Sequence, residues 1–260
     1  MTPTKLSFAP DSTAAYSLRD LLPASTRRVA IHQPNLFPRL ATLAKLWTAD
    51  CWIVLDNVQF TRRDYQHRAR LAALHDVEHR RWLSLSTHLP HGRSTLICDA
   101  RLSEPARCQR RVAHLLRQYY RRSRHWPAFQ GRLDQFLARF ESTERLATIS
   151  VASTALLLGM LGWRGQVVSS SDLLARDGRS HRLADLATAC GATTYLCGTG
   201  GMKYLIADPF VERGITVAAF RTPHEGVWAS AREVSGLHAL LGLGPDELAD
   251  ELRRVAADYG

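Results

Sequence analysis

The run CWIVL (51–55) constrains this chain more than any other stretch, because it offers no polar residue to either face of a strand. A strand apolar on both sides has to be covered on both sides, and that arrangement belongs to parallel sheets flanked by helices. Upstream of it stands RRVAIHQ (27–33), a short β-branched segment ended by Pro34. Between the two, Leu40, Leu43, Ala44, Leu46 and Trp47 recur with helical spacing. Strand, helix, strand is a βαβ unit, and its crossover is expected to be right-handed.

The same alternation returns after residue 162. GQVVSSS (165–171), TTYLCG (193–198) and ITVAAF (215–220) read as strands, separated by helices over 183–190, with Gly191 as C-cap, and over 202–207, stopped before Pro209. The middle differs. RRWLSLS (80–86) and TLICDARL (95–102) alternate and are expected to pair as an antiparallel hairpin. Residues 103–162 read as a helical insertion, with Ser103 capping a first helix that Pro127 breaks, followed by helices over 129–140 and 145–161. The expected fold is therefore α/β: an open, mostly parallel, Rossmann-like sheet with an antiparallel hairpin and a helical insertion. Residues 1–26 read as a flexible tail holding at most a helical turn at SLRDLL, and 27–260 as a single domain, which the length of 260 residues allows.

Composition narrows the class. Nothing approaches the roughly 20 apolar residues of a membrane span, and the first residues lack the charged and apolar regions of a secretory signal, so a cytoplasmic, membrane-free protein is expected. The five cysteines have no CxxC spacing, which argues against a disulfide scaffold or zinc ribbon. A formal charge of +10, mostly arginine, favours an anionic partner, although an arginine-rich surface selected for solubility would carry the same excess.

Ligands of open α/β sheets bind beyond the carboxyl ends of the strands. Four polar clusters fall there: His32-Gln33-Pro34-Asn35; Asp56-Asn57 with Gln59 following; Ser169-Ser170-Ser171-Asp172; and Cys197-Gly198-Thr199-Gly200-Gly201. His32 is the candidate general acid or base, because an imidazole titrates nearest neutral pH, or else it caps the following helix. Asp56 could orient His32, bind a hydroxyl or cap a turn. The stretch carrying Arg62, Arg63, Tyr65, Gln66, His67, Arg68 and Arg70 could grip phosphate or carboxylate and stack on a base, or be a solvated loop. The glycine turn presents backbone N–H groups to an anion, with Lys203 expected in the first helical turn and Tyr204 beside it, though a tight turn needs glycine as well. Cys197 is a candidate nucleophile or an inert small residue. His75-Asp-Val-Glu-His79 matches a zinc-peptidase pattern but lacks the long helix that would align both histidines, so no metal is expected. The arginines of the helix over 106–124, with Tyr119 and Tyr120 between them, could bind nucleic acid or form a solvated face.

These elements resemble the WbqC-like proteins. AIHQPNLFPRLATLAKLWTADCWIVLDNVQFTRRDYQHRARL, then RRWLSLS, VVSSSDL and GATTYLCGTGGMKYLIADPFVERGITV, follow the family pattern in order from about 29 to 220. The chain departs at Arg39 and Ala41, where an aromatic and a glycine are common, at Cys197, often serine, and at His67, usually asparagine. The resemblance implies a role in polysaccharide or natural-product biosynthesis, where an amine receives an acyl or aminoacyl group. In that reading His32 deprotonates the amine, glycine N–H groups hold an oxyanion, and the arginines hold an anionic small-molecule or carrier-linked substrate, with a tRNA or nucleotide donor. No cofactor and no oligomeric state are specified. A looser similarity to adenylate-forming enzymes of the pantothenate-synthetase type implies instead an ATP-dependent ligase or nucleotidyltransferase, with His32 and Lys203 on the phosphates. A non-catalytic nucleic-acid-binding protein is the third reading.

Overall fold

The computed structural model describes residues 27–259; the expected tail and its SLRDLL turn lie outside the described residues. Five parallel strands form one sheet: β1 (Arg28–His32), β2 (Cys51–Val54), β7 (Gln166–Ser169), β8 (Thr194–Gly198) and β9 (Thr216–Phe220), arranged β7-β2-β1-β8-β9. Numbered within the sheet, that is 3-2-1-4-5, the order of a Rossmann sheet without its sixth strand. The strand order reverses direction between β1 and β8, so the chain leaves the ends of these two parallel strands toward opposite faces of the sheet and opens a crevice.

Alternation along the strands explains the two cores. Ala30, Trp52 and Val54 point to one side, where they pack with α1 (Leu40–Thr48) and α5 (Leu146–Met160). Val29, Ile31, Cys51 and Ile53 point to the other, toward α6 (Arg179–Ala189) and α8 (Asp208–Val211). β2 is buried at all four positions, as its unbroken apolar sequence requires. The insertion supplies α2 (Pro105–Tyr120), α3 (Trp126–Leu137) and the short α4 (Arg139–Ser142), and the carboxyl end adds α9 (Gly236–Leu243) and α10 (Pro245–Ala257). Among the described residues no helix is long and apolar enough to cross a membrane.

The hairpin is not the one expected. β4 (Asp76–Ser84) pairs antiparallel with β3 (Arg68–Ala73), whereas 95–102 forms a 3-10 turn at Ile97–Asp99 and then β6 (Arg101–Leu102), paired with β5 (Thr87–His88). The reason lies in the arginines. Ala69 and Leu71 are buried, while the guanidiniums of Arg68 and Arg70 lie over the Trp82 ring, 4.3 and 5.6 Å from its centroid. Arginine stems that cover an aromatic behave as part of a strand, although in sequence they resemble a solvated loop.

Two prolines act in the sense opposite to the one expected. Pro127 and Pro209 stand in the first turns of α3 and α8 and start those helices, where a missing N–H costs nothing. α2 ends at Tyr120 without a proline, and Glu104, not Ser103, occupies its N-cap. A helix was expected over 202–207; instead α7 (Thr199–Met202) is a single turn directly after β8.

Candidate functional site

The crevice between β1 and β8 is a cavity of about 380 Å³, lined at its base by His32, Lys45, Cys197 and Gly198 and at its mouth by Arg39, Arg221 and Arg232. Among the described residues no aspartate or glutamate lines it. The imidazole after the opening strand and the glycine turn after β8 therefore share one cleft.

Lys45 organises its base. α1 is buried nearly all round, and Lys45, only 5% exposed, reaches from it to the end of β1. Its Nζ lies 3.3 Å from His32 Nδ1 and 3.4 Å from the Ile31 carbonyl oxygen. The ammonium form of Lys45, which dominates at neutral pH, can only donate, so there Nδ1 is the acceptor and Nε2 carries the proton. Nε2 then donates to Asn35 Oδ1 at 3.2 Å. Burial pushes the imidazole well below its usual 6.5, Lys45 and Arg39 push it further, and the Asn35 bond only partly opposes them. His32 is neutral, with both nitrogens engaged. Burial also lowers Lys45, to about 8, with Cys197 opposing the shift. Two of the three Nζ positions are occupied by Ile31 and His32. The third has no partner among the described residues and is a hydrogen in the ammonium form or a lone pair in the amine.

The loop above is held under tension. Phe37 sits at φ +40°, a left-handed conformation costly for an aromatic residue, and its N–H donates to Ser153 Oγ at 2.8 Å. Ser153 and Thr154 of α5 also donate to the Asn35 carbonyl, at 3.3 and 3.0 Å, and Leu36 N–H donates to the Tyr65 carbonyl at 2.9 Å. These bonds set the height of Asn35 and, through it, the plane of the His32 ring.

The other expected site residues divide. Gly198, Thr199 and Gly200 line the cleft with Cys197, whose thiol is buried and pushed up by that burial, against Tyr195 and Lys45. A buried, protonated thiol is inert, so the arrangement assigns Cys197 to packing under Gly201, where an added Cβ would lie 2.8 Å from the sulfur. Asp56 does not orient His32. Its carboxylate accepts from Ser170 Oγ at 3.0 Å and from Ser171 N and Oγ at 3.1 Å each, joining the ends of β2 and β7. Gln33 and Gln66 pair with each other at 2.7 Å. Gln59 donates to the Arg93 carbonyl, and Arg62 is exposed. Tyr65 is engaged within the protein, with the Arg39 guanidinium over its ring 4.1 Å from the centroid and the Trp82 ring tilted against it 5.7 Å away. Lys203 is the C-cap of α7, exposed and outside the cleft, because the helix expected to begin near it is already ending. Tyr204 is exposed beneath Arg179.

Two further motifs of the sequence are placed by the structure. Tyr120 is fully buried and Tyr119 nearly so; neither is offered to a base from α2. His75 occupies the β3–β4 turn and His79 packs on Tyr119, and among the described residues no three histidine, cysteine or acidic side chains could hold a metal.

Sequence reading missed Lys45, Arg221 and Arg232. A signal existed for the first: the chain has 31 arginines and only three lysines. Where arginine replaces lysine almost everywhere, a lysine inside an apolar helix marks a place where a titratable amine is wanted.

The WbqC-like protein family model matches residues 33–233. An uncharacterized protein of Mycobacterium tuberculosis is 24% identical over 197 residues, covering 75% of this chain and 82% of that protein. No solved structure matches.

Proposed function

The chain belongs to the WbqC-like protein family, and on that premise we propose that it is an amide-forming acyl or aminoacyl transferase working in the β1–β8 cleft. The observation that carries this reading is Lys45, a buried amine with its pKa lowered to about 8, one open position, and an acid-free cationic wall around it. Arg39, Arg221 and Arg232 would hold the phosphate or carboxylate of the activated donor. The acceptor nitrogen attacks the acyl carbon, a C–N bond forms, and the C–O bond to the leaving group breaks with its electron pair on oxygen. The nitrogen must shed a proton. A lysine with pKa about 8 is neutral in about one molecule in ten at pH 7, and its lone pair accepts that proton. His32 acts as a positioning residue: by accepting one Nζ hydrogen it turns the open position toward the cleft. This departs from a histidine base, because Nδ1 is already occupied and Nε2 already protonated.

The test is a panel of acyl phosphates, acyl adenylates and aminoacyl-tRNA incubated with amino-sugar acceptors and read by mass spectrometry. Amide formation lost in Lys45→Met and not restored by Lys45→Arg supports the reading, since a guanidinium keeps the charge but cannot accept the proton. An unaffected Lys45→Arg enzyme would overturn the proton role.

The strand order favours a second reading, an ATP-dependent ligase or nucleotidyltransferase, because Rossmann-like sheets take nucleotides at this crevice. Carboxylate-dependent exchange of pyrophosphate into ATP would select it; amide formation without ATP would select the first.

A further inference from the structure

The carboxyl rim of the sheet carries a second cavity, of about 500 Å³, beyond the ends of β2 and β7 and separated from the cleft by the loop around Asn35. Its origin lies in α5, whose sequence LATISVASTALLLGM is apolar on nearly every face. Such a helix needs cover all round. Leu146, Ile149, Leu157 and Leu158 find it in the core, and Ser153 and Thr154 bind the loop. The remaining face, Ala147, Val151, Ala152, Ala155 and Leu156, is only partly covered by the core and walls the cavity together with Phe136. The size suits one small molecule, whose sites commonly span about 300–1,000 Å³.

Charge says what kind of molecule. Arg132, Gln135, Phe136 and Arg139 project from successive turns of α3 and α4 onto the cavity, and Arg145 enters from the start of α5. Among the described residues the three guanidiniums have no hydrogen bond and no ion pair, and Arg139 is half-buried. Many other arginines on this surface are paired, Arg28 with Asp50 and Arg176 with Asp185 among them. Asp56, also on the wall, makes no ion pair with them, its carboxylate accepting from Ser170 and Ser171 instead, and one carboxylate against three guanidiniums leaves the wall cationic. An apolar wall facing three unpaired guanidiniums is complementary to a molecule with an apolar body and an anionic head.

We infer that the cavity between α5 and the ends of β2 and β7 is a second small-molecule site, taking an aliphatic or flat apolar compound that ends in a carboxylate or phosphate. This stands apart from the transfer reading and holds whether or not that reading does. It requires no reaction at the cavity.

The chain supplies its own reporter. Cys98 lines the cavity and is half-buried, whereas Cys51, Cys108, Cys190 and Cys197 are buried. Thiol modification of Cys98 in the native full chain would be timed with octanoate, octyl phosphate or octanol present. An anionic probe at ten times its Kd should slow modification about tenfold, with octanol binding about tenfold more weakly. Whichever of octanoate and octyl phosphate protects better identifies the head group. Arg139→Gln should weaken the anionic probes while leaving octanol unchanged, and Ala155→Trp, at an exposed position that tolerates a large ring, should abolish protection by all three. Equal protection by octanol and octanoate, or full protection persisting in Ala155→Trp with an unchanged circular dichroism spectrum, would overturn the inference. Since the readout needs no catalysis, an inactive preparation tests it equally well.

Discussion

The ends of β1 and β8 and the ends of β2 and β7 look alike in sequence, each a short polar cluster after an apolar strand, yet they dispose of their polar groups in opposite ways. At the second pair Asp56, Ser170 and Ser171 satisfy one another, and the carboxylate accepts three bonds. At the first pair His32 and the Ile31 carbonyl occupy only two positions of Lys45, and three arginines line a void with no carboxylate among the described residues. A cluster that closes on itself joins strands. A cluster left open toward a cavity is where chemistry can occur.

The largest effect expected from breaking this contrast is at Lys45. Lys45→Met should lower amide formation by on the order of a hundredfold or more, as loss of a general base does, with Lys45→Arg equally impaired in product formation per unit time. Next comes pH. The folded chain holds Lys45 at about 8 and the unfolded chain near 10.5, so between these values the unfolded state binds more protons. Wild-type stability should therefore rise relative to Lys45→Met across that window, by up to about 3 kcal/mol. Urea melts at pH 7.5 and 10.5 check this, and parallel pH profiles would contradict it. The closed cluster should behave in the opposite sense: Asp56→Ala should cost about 2 kcal/mol in urea-melt stability by leaving buried serine and backbone donors unpaired, while changing binding of inorganic pyrophosphate to the β1–β8 cleft by less than about twofold. The smallest effect belongs to Cys197. Cys197→Ser should alter turnover by less than about threefold, because a buried, protonated thiol takes no part in bond making; a thousandfold loss would restore it as nucleophile.

Much of the fold was legible because apolar periodicity reports burial directly. Residues 27–33 and 193–198 declared parallel strands, and His32 and Gly198 fell at their carboxyl ends. What escaped was chemistry carried by residues whose role is contextual. β3 was hidden because arginine stems shield Trp82 while their head groups read as solvent-facing. Pro127 and Pro209 punctuate a chain identically whether they end one helix or begin another. Asp56 and His32 sit on adjacent strands, and only the side-chain directions reveal that one turns to Ser170 and the other to Lys45.

By itself, then, the amino-acid sequence determined the α/β class, the buried central strands and the rim on which polar groups gather, since these follow from the alternation of apolar and polar residues along the chain. Only the tertiary structure decided which of those groups act. Lys45 is an ordinary helix residue until α1 packs on the sheet, removes its ammonium from water and brings it to His32. Burial and distance set its pKa, and neither exists before the chain is folded.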